Sequence, residues 1–189
     1  MNDIVRVFKE KNALLEGHFL LSSGLHSPQY IQCALVLQYP EIADEFGEKI
    51  ARQLQSMHPT IIVSPALGGI VIGQSVAKAL SVRSVFTERH ENRMVLRRGF
   101  SISAQDRAVV IEDVITTGKS TGEVCGVVQH TGATVVAVGC IINRSTGQLP
   151  FAHPLVSLAR LPVTTFEART CPLCKAGRPV VKPGSRDIR

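Results

Sequence analysis

The sequence contains no tryptophan, and aromatic residues make up only 5% of its 189 residues. A hydrophobic core of this chain must therefore be mostly aliphatic, which is typical of parallel sheets buried on both faces. No apolar run approaches the length of a membrane span, and the segment after Met1 is polar rather than a secretory leader. The sequence also has no internal repeats or low-complexity tracts. We expect a single domain with no membrane partner.

The five cysteines form an odd set without a secretory segment, which favours reduced thiols and a cytoplasmic location. Cys171 and Cys174 have half of the spacing of a zinc site. No second cysteine pair accompanies them, because Cys125 and Cys140 fall on predicted core elements. The histidines show no ligand spacing; they include His18, His26, His58, His130 and His153. The sequence therefore assigns no metal site to this chain. A structural or metal-binding module built on Cys171 and Cys174 stays an alternative.

The chain has a formal net charge of +6. Such an excess suits a nucleic acid, a membrane surface or a small polyanionic substrate, and it is also compatible with a solvated basic face. The excess is concentrated in a cluster within sixteen residues and in a second one near the C-terminus. The first cluster is Arg83, Arg89, Arg93, Arg97 and Arg98, and the second is Lys175, Arg178, Lys182, Arg186 and Arg189. No nucleic-acid-binding motif is evident, so we expect small anionic substrates rather than a nucleic acid.

Strand-like and helix-like hydrophobic patterns alternate along most of the chain. Pro40 opens an amphipathic helix with Ile42, Phe46, Ile50 and Leu54 on one face. Strands are predicted at residues 60–63, 82–86, 108–111 and 135–142, and helices at residues 70–80 and around residues 124–131. This order predicts an α/β fold, a central parallel sheet flanked by helices. Residues 40–145 would form the core of a single domain spanning residues 1–189, with residues 1–39 and an irregular C-terminal tail flanking it.

Residues 109–121 carry the most informative motif. An apolar strand ends in two adjacent carboxylates, Glu112 and Asp113, and a polar loop then leads into a helix. Ligands of open parallel sheets bind at the carboxyl ends of strands, where backbone N–H groups and a helix N-terminus attract phosphate. The carboxylates could accept hydrogen bonds from sugar hydroxyls. A nucleoside triphosphate loop is disfavoured, since Asp113 stands where that motif needs glycine.

This segment resembles the phosphoribosyl pyrophosphate signature of type I phosphoribosyltransferases. The resemblance implies the type I phosphoribosyltransferase fold, with a small N-terminal hood over the sheet. It also implies that Glu112 and Asp113 bind the ribose hydroxyls, with Asp113 a catalytic residue. The residues implied to bind phosphoribosyl pyrophosphate are Glu112, Asp113, Val114, Ile115, Thr116, Thr117, Gly118, Lys119 and Ser120, of which Thr116 to Ser120 wrap the 5-phosphate.

Two further segments resemble the orotate phosphoribosyltransferases within that family. Residues 17–30 are similar to their hood segment, and Arg144 matches their orotate-binding arginine, while Thr116 falls where a loop threonine contacts the base. Residues 171–186 resemble a bacterial subgroup. The resemblance implies transfer of the phosphoribosyl group to orotate in pyrimidine biosynthesis, giving orotidine 5′-monophosphate and pyrophosphate. It implies a homodimer that uses Mg²⁺, with the ion held mainly through the substrate.

The sequence departs from the family pattern at three places. Ser22 stands where many members have lysine, and Leu67 and Gly68 replace a Tyr-Lys pair. Residues 88–98 replace the usual lysine-rich mobile loop, and Arg89 is the candidate for the catalytic, pyrophosphate-binding cation. We expect this loop to be disordered without ligand, to close as a lid, and to reach the partner subunit's site. The alternatives are a phosphoribosyltransferase for a purine or another pyrimidine, and a non-catalytic regulator that senses phosphoribosyl pyrophosphate.

Overall fold

Two sheets organise the computed structural model, which describes residues 3–21, 23–162 and 164–183. The helices are α1 (Asp3–Glu10), α2 (Ala34–Leu37), α3 (Pro40–Leu54), α4 (Gly68–Leu80), α5 (Lys119–His130) and α6 (Pro172–Lys175), and a 3-10 turn covers Gln55–Met57. The strands are β1 (Leu14–Leu20), β2 (His26–Ile31), β3 (Ile61–Pro65), β4 (Arg83–His90), β5 (Arg93–Leu96), β6 (Arg107–Ile115), β7 (Thr134–Asn143) and β8 (Leu155–Arg160).

The larger sheet has six strands in the order β5-β4-β3-β6-β7-β8, counted over the described residues. Its pairs are parallel except for β4 with β5. The chain adds β4 and β5 on one side of β3, then returns to place β6, β7 and β8 on the other side. The boundary between β3 and β6 is therefore a switch point, where loops at the carboxyl ends diverge and leave a crevice.

Both faces of this sheet are buried, as the aliphatic composition predicts. Along β6, Val109 and Ile111 face the helices α1 to α4, whereas Val110 faces α5, and all three are 0% exposed. The predicted apolar face of α3 is confirmed, since Phe46, Ile50 and Leu54 are buried and Ile42 packs partly buried against the same core. At Gly47 a Cβ atom would lie 2.6 Å from Ser75, so this glycine lets α3 and α4 pack closely.

The second sheet is the antiparallel hairpin β1–β2, which we call the hood. Its two strands are held by segments of the C-terminal tail. Leu20 donates its backbone N–H to Val181, and His26 and Phe166 exchange two backbone hydrogen bonds of 2.8 and 2.9 Å. The tail is thus tied to the N-terminal hairpin by regular backbone pairing.

Residues 88–98 do not form the open loop that their charges suggested. β4 continues to His90, and β5 returns antiparallel beside it, with His90 opposite Arg93. Met94 is buried at 7% exposure, and Arg98 donates two hydrogen bonds of 2.8 Å to the carboxylate of Glu88. An apolar anchor and a forked ion pair therefore hold this segment as an edge hairpin.

The sheet also extends beyond the segments predicted as strands. β8 pairs in parallel with β7 from Val138 to Asn143, so residues after 145 belong to the central sheet. β6 is longer than expected and continues to Ile115, which places Glu112 and Asp113 inside the strand instead of after it. Among the described residues, no helix is both long and apolar enough to cross a membrane.

Candidate active site

A cavity of about 1510 Å³ lies at the carboxyl ends of β6 and β7, beneath the hood. All the candidate site residues line it. They are Arg89, Glu112, Asp113, Val114, Ile115, Thr116, Thr117, Gly118, Lys119, Ser120 and Arg144. Hood residues such as Leu20 and Tyr30 close the opposite wall. The sequence motif and the hood segment, which are far apart in the chain, therefore form one site.

The two adjacent carboxylates form one wall of this cavity. Glu112 is 9% exposed, and burial together with the charge of Asp113 raises the pKa of Glu112 well above its usual range. Asp113 accepts a hydrogen bond of 2.9 Å from the backbone N–H of Val114. Within the described part of the chain, neither carboxylate has a lysine or arginine at ion-pair distance. The pair can accept hydrogen bonds or bind a cation.

Gly68 brings the N-terminus of α4 against Asp113. A Cβ atom at Gly68 would lie 2.8 Å from each carboxylate oxygen of Asp113, so the carboxylate occupies the space that any side chain would fill. The positive end of the α4 dipole favours a carboxylate at this position. Gly68, one of the two residues that replace the Tyr-Lys pair of many family members, therefore meets the acid pair, and α4 already begins there.

The loop after β6 has the features of an anion site. Gly118 is the N-cap of α5 and has φ 72°, a left-handed conformation that glycine adopts without strain. A Cβ atom at Gly118 would also lie 2.9 Å from Leu149. Since glycine supplies no side-chain cap, the backbone N–H groups of Ser120 and Thr121 in the first turn of α5 remain available to a ligand. The N–H of Lys119 has a long contact of 3.4 Å to the hydroxyl of Thr117. A phosphate group fits these donors and the positive end of the helix dipole.

Arg144 follows β7 directly, and its backbone N–H extends the pairing with β6 by bonding to Ile115 at 2.8 Å. Its side chain is only 6% exposed. Nη2 donates to the carbonyl of Gln29 at 3.2 Å and lies 3.5 Å from the hydroxyl of Ser27, whereas Nε has no partner among the described residues. Burial lowers the pKa of this guanidinium. No described carboxylate pairs with it, so Arg144 offers its charge to a ligand in the cavity.

Arg89 lies on β4 in the wall of its own chain's cavity. Its Nη2 is 2.6 Å from a carboxylate oxygen of Glu123 on α5, and its Nη1 donates to the carbonyl of Asn92 at 2.8 Å. The structure thus offers a second arrangement, in which Arg89 serves the site of its own chain, beside the crossing that the resemblance implied. The charge of Arg89 is partly balanced by Glu123, so a pyrophosphate group would have to compete with that carboxylate.

Some cavity residues were not anticipated as ligand contacts. Lys182 and Pro183 enter the wall from the tail, and Gln148 enters from the loop after β7. Only Lys182 had a sequence signal, as a member of the C-terminal basic cluster. Ser22 and the residues after Pro183, including Arg186 and Arg189, lie outside the described residues.

One expectation about the histidines is wrong. The sequence spacing indicated no ligand set, yet His18 and His26 lie beside Cys171 and Cys174. The hood strands place the two histidines side by side, and the tail then brings the cysteine pair to them. A search for spacing along the chain could not detect four ligands taken from two ends of the protein.

Comparisons with known proteins agree with this site. The phosphoribosyl transferase domain family matches residues 35–168. A protein of Carboxydothermus hydrogenoformans named orotate phosphoribosyltransferase is 48% identical over 186 residues, which is 97% of each chain. A protein of the same name from Caldicellulosiruptor bescii is 46% identical over 96% of each chain. The crystal structure of orotate phosphoribosyltransferase from Aeropyrum pernix superposes with a TM-score of 0.69 at 25% identity, over 84% of this chain and 93% of that one.

The region matched by the family contains Glu112 and Asp113, the loop between β6 and α5, and Arg144. The relatives match over nearly their full lengths. The chain therefore belongs to the phosphoribosyltransferase family and groups with its orotate phosphoribosyltransferases.

Proposed function

We propose that this protein transfers the phosphoribosyl group of 5-phosphoribosyl 1-pyrophosphate to orotate, giving orotidine 5′-monophosphate and pyrophosphate. The observation that carries the proposal is Arg144, a buried cation without a described acidic partner, in the same cavity as the acid pair and the loop before α5. Orotate differs from uracil by a carboxylate, and a guanidinium binds a carboxylate through two parallel hydrogen bonds. The names of the closely similar relatives support the same assignment.

The substrate parts can be assigned to separate groups of the site. The 5-phosphate would bind the N–H groups at the start of α5, and the ribose hydroxyls would donate to Asp113 and Glu112. Orotate would bind with its carboxylate at Arg144 and its ring near Thr116. Arg89 and Lys182 are cations in the cavity wall that could contact the pyrophosphate.

The chemistry needs no protein nucleophile. N1 of orotate forms a bond to C1 of the ribose and loses its proton to the solvent or to the departing pyrophosphate. The bond from C1 to the pyrophosphate oxygen breaks, and its electron pair leaves with pyrophosphate. Positive charge develops on the sugar ring in the transition state. The carboxylates of Asp113 and Glu112 line the cavity wall, where their charge would stabilise the transition state. Binding of the substrate hydroxyls would favour the ionised form of Glu112.

The acid pair also fits the magnesium ion that type I phosphoribosyltransferases generally use. Two neighbouring carboxylates without a described basic partner provide the hard oxygen ligands that Mg²⁺ prefers. We propose that Asp113 and Glu112 hold the ion together with substrate oxygens, and that most of its ligands come from the substrate. The ion would supply charge stabilisation to the departing pyrophosphate.

Pyrophosphate release tests this proposal directly. We would incubate the purified protein with phosphoribosyl pyrophosphate, Mg²⁺ and one base at a time: orotate, uracil or adenine. Of the three bases, we expect only orotate to cause release of pyrophosphate. Equal turnover of uracil would remove the role of Arg144, and turnover of adenine alone would assign a purine enzyme. Ligand binding without turnover of any base would favour the regulator alternative.

We further propose that the enzyme is a cytoplasmic homodimer. All five cysteines are free thiols in the structure, which suits a reducing compartment. Sedimentation equilibrium would establish the assembly, and a monomer with full activity would reject the dimer.

A further inference from the structure

Four potential metal ligands meet where the hood contacts the tail. His18 on β1, His26 on β2, and Cys171 and Cys174 at α6 each offer one ligand atom, and these four atoms all lie within 4.8 Å of one another. They come from sequence positions about 150 residues apart, since Cys171 and His18 are separated by 153 positions. The group lies outside the walls of the substrate cavity.

The distances fit a tetrahedral zinc site. Ligands bound to zinc at about 2.0–2.3 Å lie roughly 3.3–3.8 Å from one another. The Nε2 atom of His18 is 3.6 Å from Sγ of Cys171 and 3.7 Å from Sγ of Cys174, and Nδ1 of His26 is 3.3 Å from Sγ of Cys174. The two imidazole nitrogens, Nε2 of His18 and Nδ1 of His26, are closer, at 2.7 Å. The remaining two pairs, from Sγ of Cys171 to His26 and to Cys174, lie within 4.8 Å. To hold an ion, the two rings would have to move apart by about half an ångström.

The orientation of His18 provides an independent argument. Its Nδ1 lies 2.9 Å from the backbone carbonyl of Arg178. A carbonyl oxygen only accepts, so Nδ1 must carry the proton, and in the neutral ring Nε2 then presents its lone pair to the other three residues. Histidine ligands of metals are typically fixed in this way, with the second ring nitrogen donating to a backbone carbonyl.

Charge and burial also favour a metal. His18, His26 and Cys171 are 4%, 7% and 0% exposed, and Cys174 is exposed. Two thiolates and two neutral imidazoles bound to Zn²⁺ form a centre with no net charge, which can be buried at little electrostatic cost. Each bound thiol would release one proton. Tetrahedral sites with two sulfur and two nitrogen ligands select zinc among the common divalent ions.

We propose that His18, His26, Cys171 and Cys174 bind one structural zinc ion, which clamps the C-terminal tail to the hood. Its protein ligands complete the tetrahedron, so the site has no open position for catalysis. The clamp acts on the substrate cavity through adjacent residues. Ser27 follows His26 and projects to the opposite face of β2, where it lies beside Arg144. On the tail, Val181 pairs with the hood and Lys182 lines the cavity.

Metal content tests the proposal without reference to catalysis, so its outcome is independent of the proposed function. The full chain would be purified under reducing conditions, without a histidine tag, and analysed by inductively coupled plasma mass spectrometry. We expect one zinc ion per chain. His26→Ala and Cys174→Ser should lower zinc affinity by more than ~100-fold, the upper end for loss of an outer-shell partner. Cys125→Ser and His153→Ala are matched controls outside the cluster, and they should retain zinc.

Three further measurements keep the test decisive if a variant is unstable. His26→Cys should restore zinc binding, because three cysteines and one histidine also form a structural zinc site. Cobalt reconstitution of the wild type should give a thiolate charge-transfer band that Cys174→Ser weakens. Zinc removal should lower the melting temperature and raise KM for orotate more than KM for phosphoribosyl pyrophosphate.

Three results would overturn the zinc site. The first is a folded, reduced wild type that contains no zinc and takes up none in a titration. The second is zinc retained at full affinity by both His26→Ala and Cys174→Ser. The third is a disulfide between Cys171 and Cys174 in protein purified with reductant and zinc, which would assign the pair a redox role.

Discussion

Arg144→Leu should abolish most activity with orotate and leave the fold at least as stable as the wild type. In the free protein the guanidinium is buried, and it donates one hydrogen bond of 3.2 Å and one marginal contact of 3.5 Å. The carbonyl of Gln29 would keep a donor, because the hydroxyl of Ser27 also bonds to it, at 2.6 Å. Leucine therefore removes a desolvated charge without leaving an unpaired acceptor.

The loss of activity follows from the carboxylate of orotate. Truncating one partner of a buried, hydrogen-bonded charge pair costs about 2–5 kcal/mol. At about 1.36 kcal/mol for each factor of ten, kcat/KM for orotate should fall by about 30-fold to 5,000-fold. Uracil has no carboxylate for Arg144 to bind, so its kcat/KM should not fall. The ratio of the two values should therefore drop by the full factor.

The assay is steady-state pyrophosphate release with each base, together with thermal unfolding of the free proteins. Arg160→Leu is the matched control, because Arg160 is exposed on β8 opposite Asn143 and is not part of the cavity wall. It should keep the wild-type ratio of orotate to uracil. An unchanged ratio in Arg144→Leu, or a large loss of stability, would show that Arg144 is a structural residue.

Asp113→Asn should reduce turnover by about 10-fold to 150-fold, since a charged hydrogen bond to the ribose is worth about 1.5–3 kcal/mol; wild-type kinetics in the folded variant would contradict this. Glu112→Gln should stabilise the free protein in urea unfolding, because the raised pKa makes the folded state bind more protons than the unfolded state, and wild-type stability then falls as pH rises above the ordinary value of 4.5. If the difference in free energy of unfolding between Glu112→Gln and the wild type does not grow with pH, the raised pKa of Glu112 is refuted. If the enzyme is a dimer, a verified heterodimer of Arg89→Ala and Asp113→Asn subunits should be nearly inactive, because Arg89 lies in its own chain's cavity; rescue to about half of the wild-type activity would show that Arg89 crosses the interface.

Local sequence patterns predicted the elements that position the phosphoribosyl end of the site. The helices α3, α4 and α5 each bury one face against the sheet, and the strands β3, β6 and β7 are buried on both faces, so all six have clear apolar patterns. The acid pair and the loop between β6 and α5 both lie within residues 109–121, so a single sequence motif contains them. The error in limits that bears on the site is that of β6, since the acids belong to the strand that pairs with β7.

The β4–β5 hairpin was missed because its turn lacks the usual residues. Glu91 and Asn92 both have positive φ angles, 47° and 62°. Two-residue turns of this type are commonly marked by Asn-Gly or Asp-Gly, whereas glutamate is a poor indicator. β8 was missed for a different reason. It is an edge strand whose residues are mostly half-buried, so it has neither a continuous apolar run nor a clear alternation.

The two ends of the cavity therefore depend on contacts of different range. In the proposed function the phosphate and ribose groups contact residues 112–120, whose geometry is largely set by β6, the following turn and the start of α5. Arg144 instead depends on Ser27 and Gln29, more than one hundred positions earlier. Those residues are held on β2, which in turn is paired with Phe166 of the tail. Since β2 belongs to a two-stranded sheet, which has little stability alone, the base-binding end needs support from elsewhere in the chain. The His18, His26, Cys171 and Cys174 cluster lies where that support is required, one residue from Ser27 and at the junction of the hood with the tail.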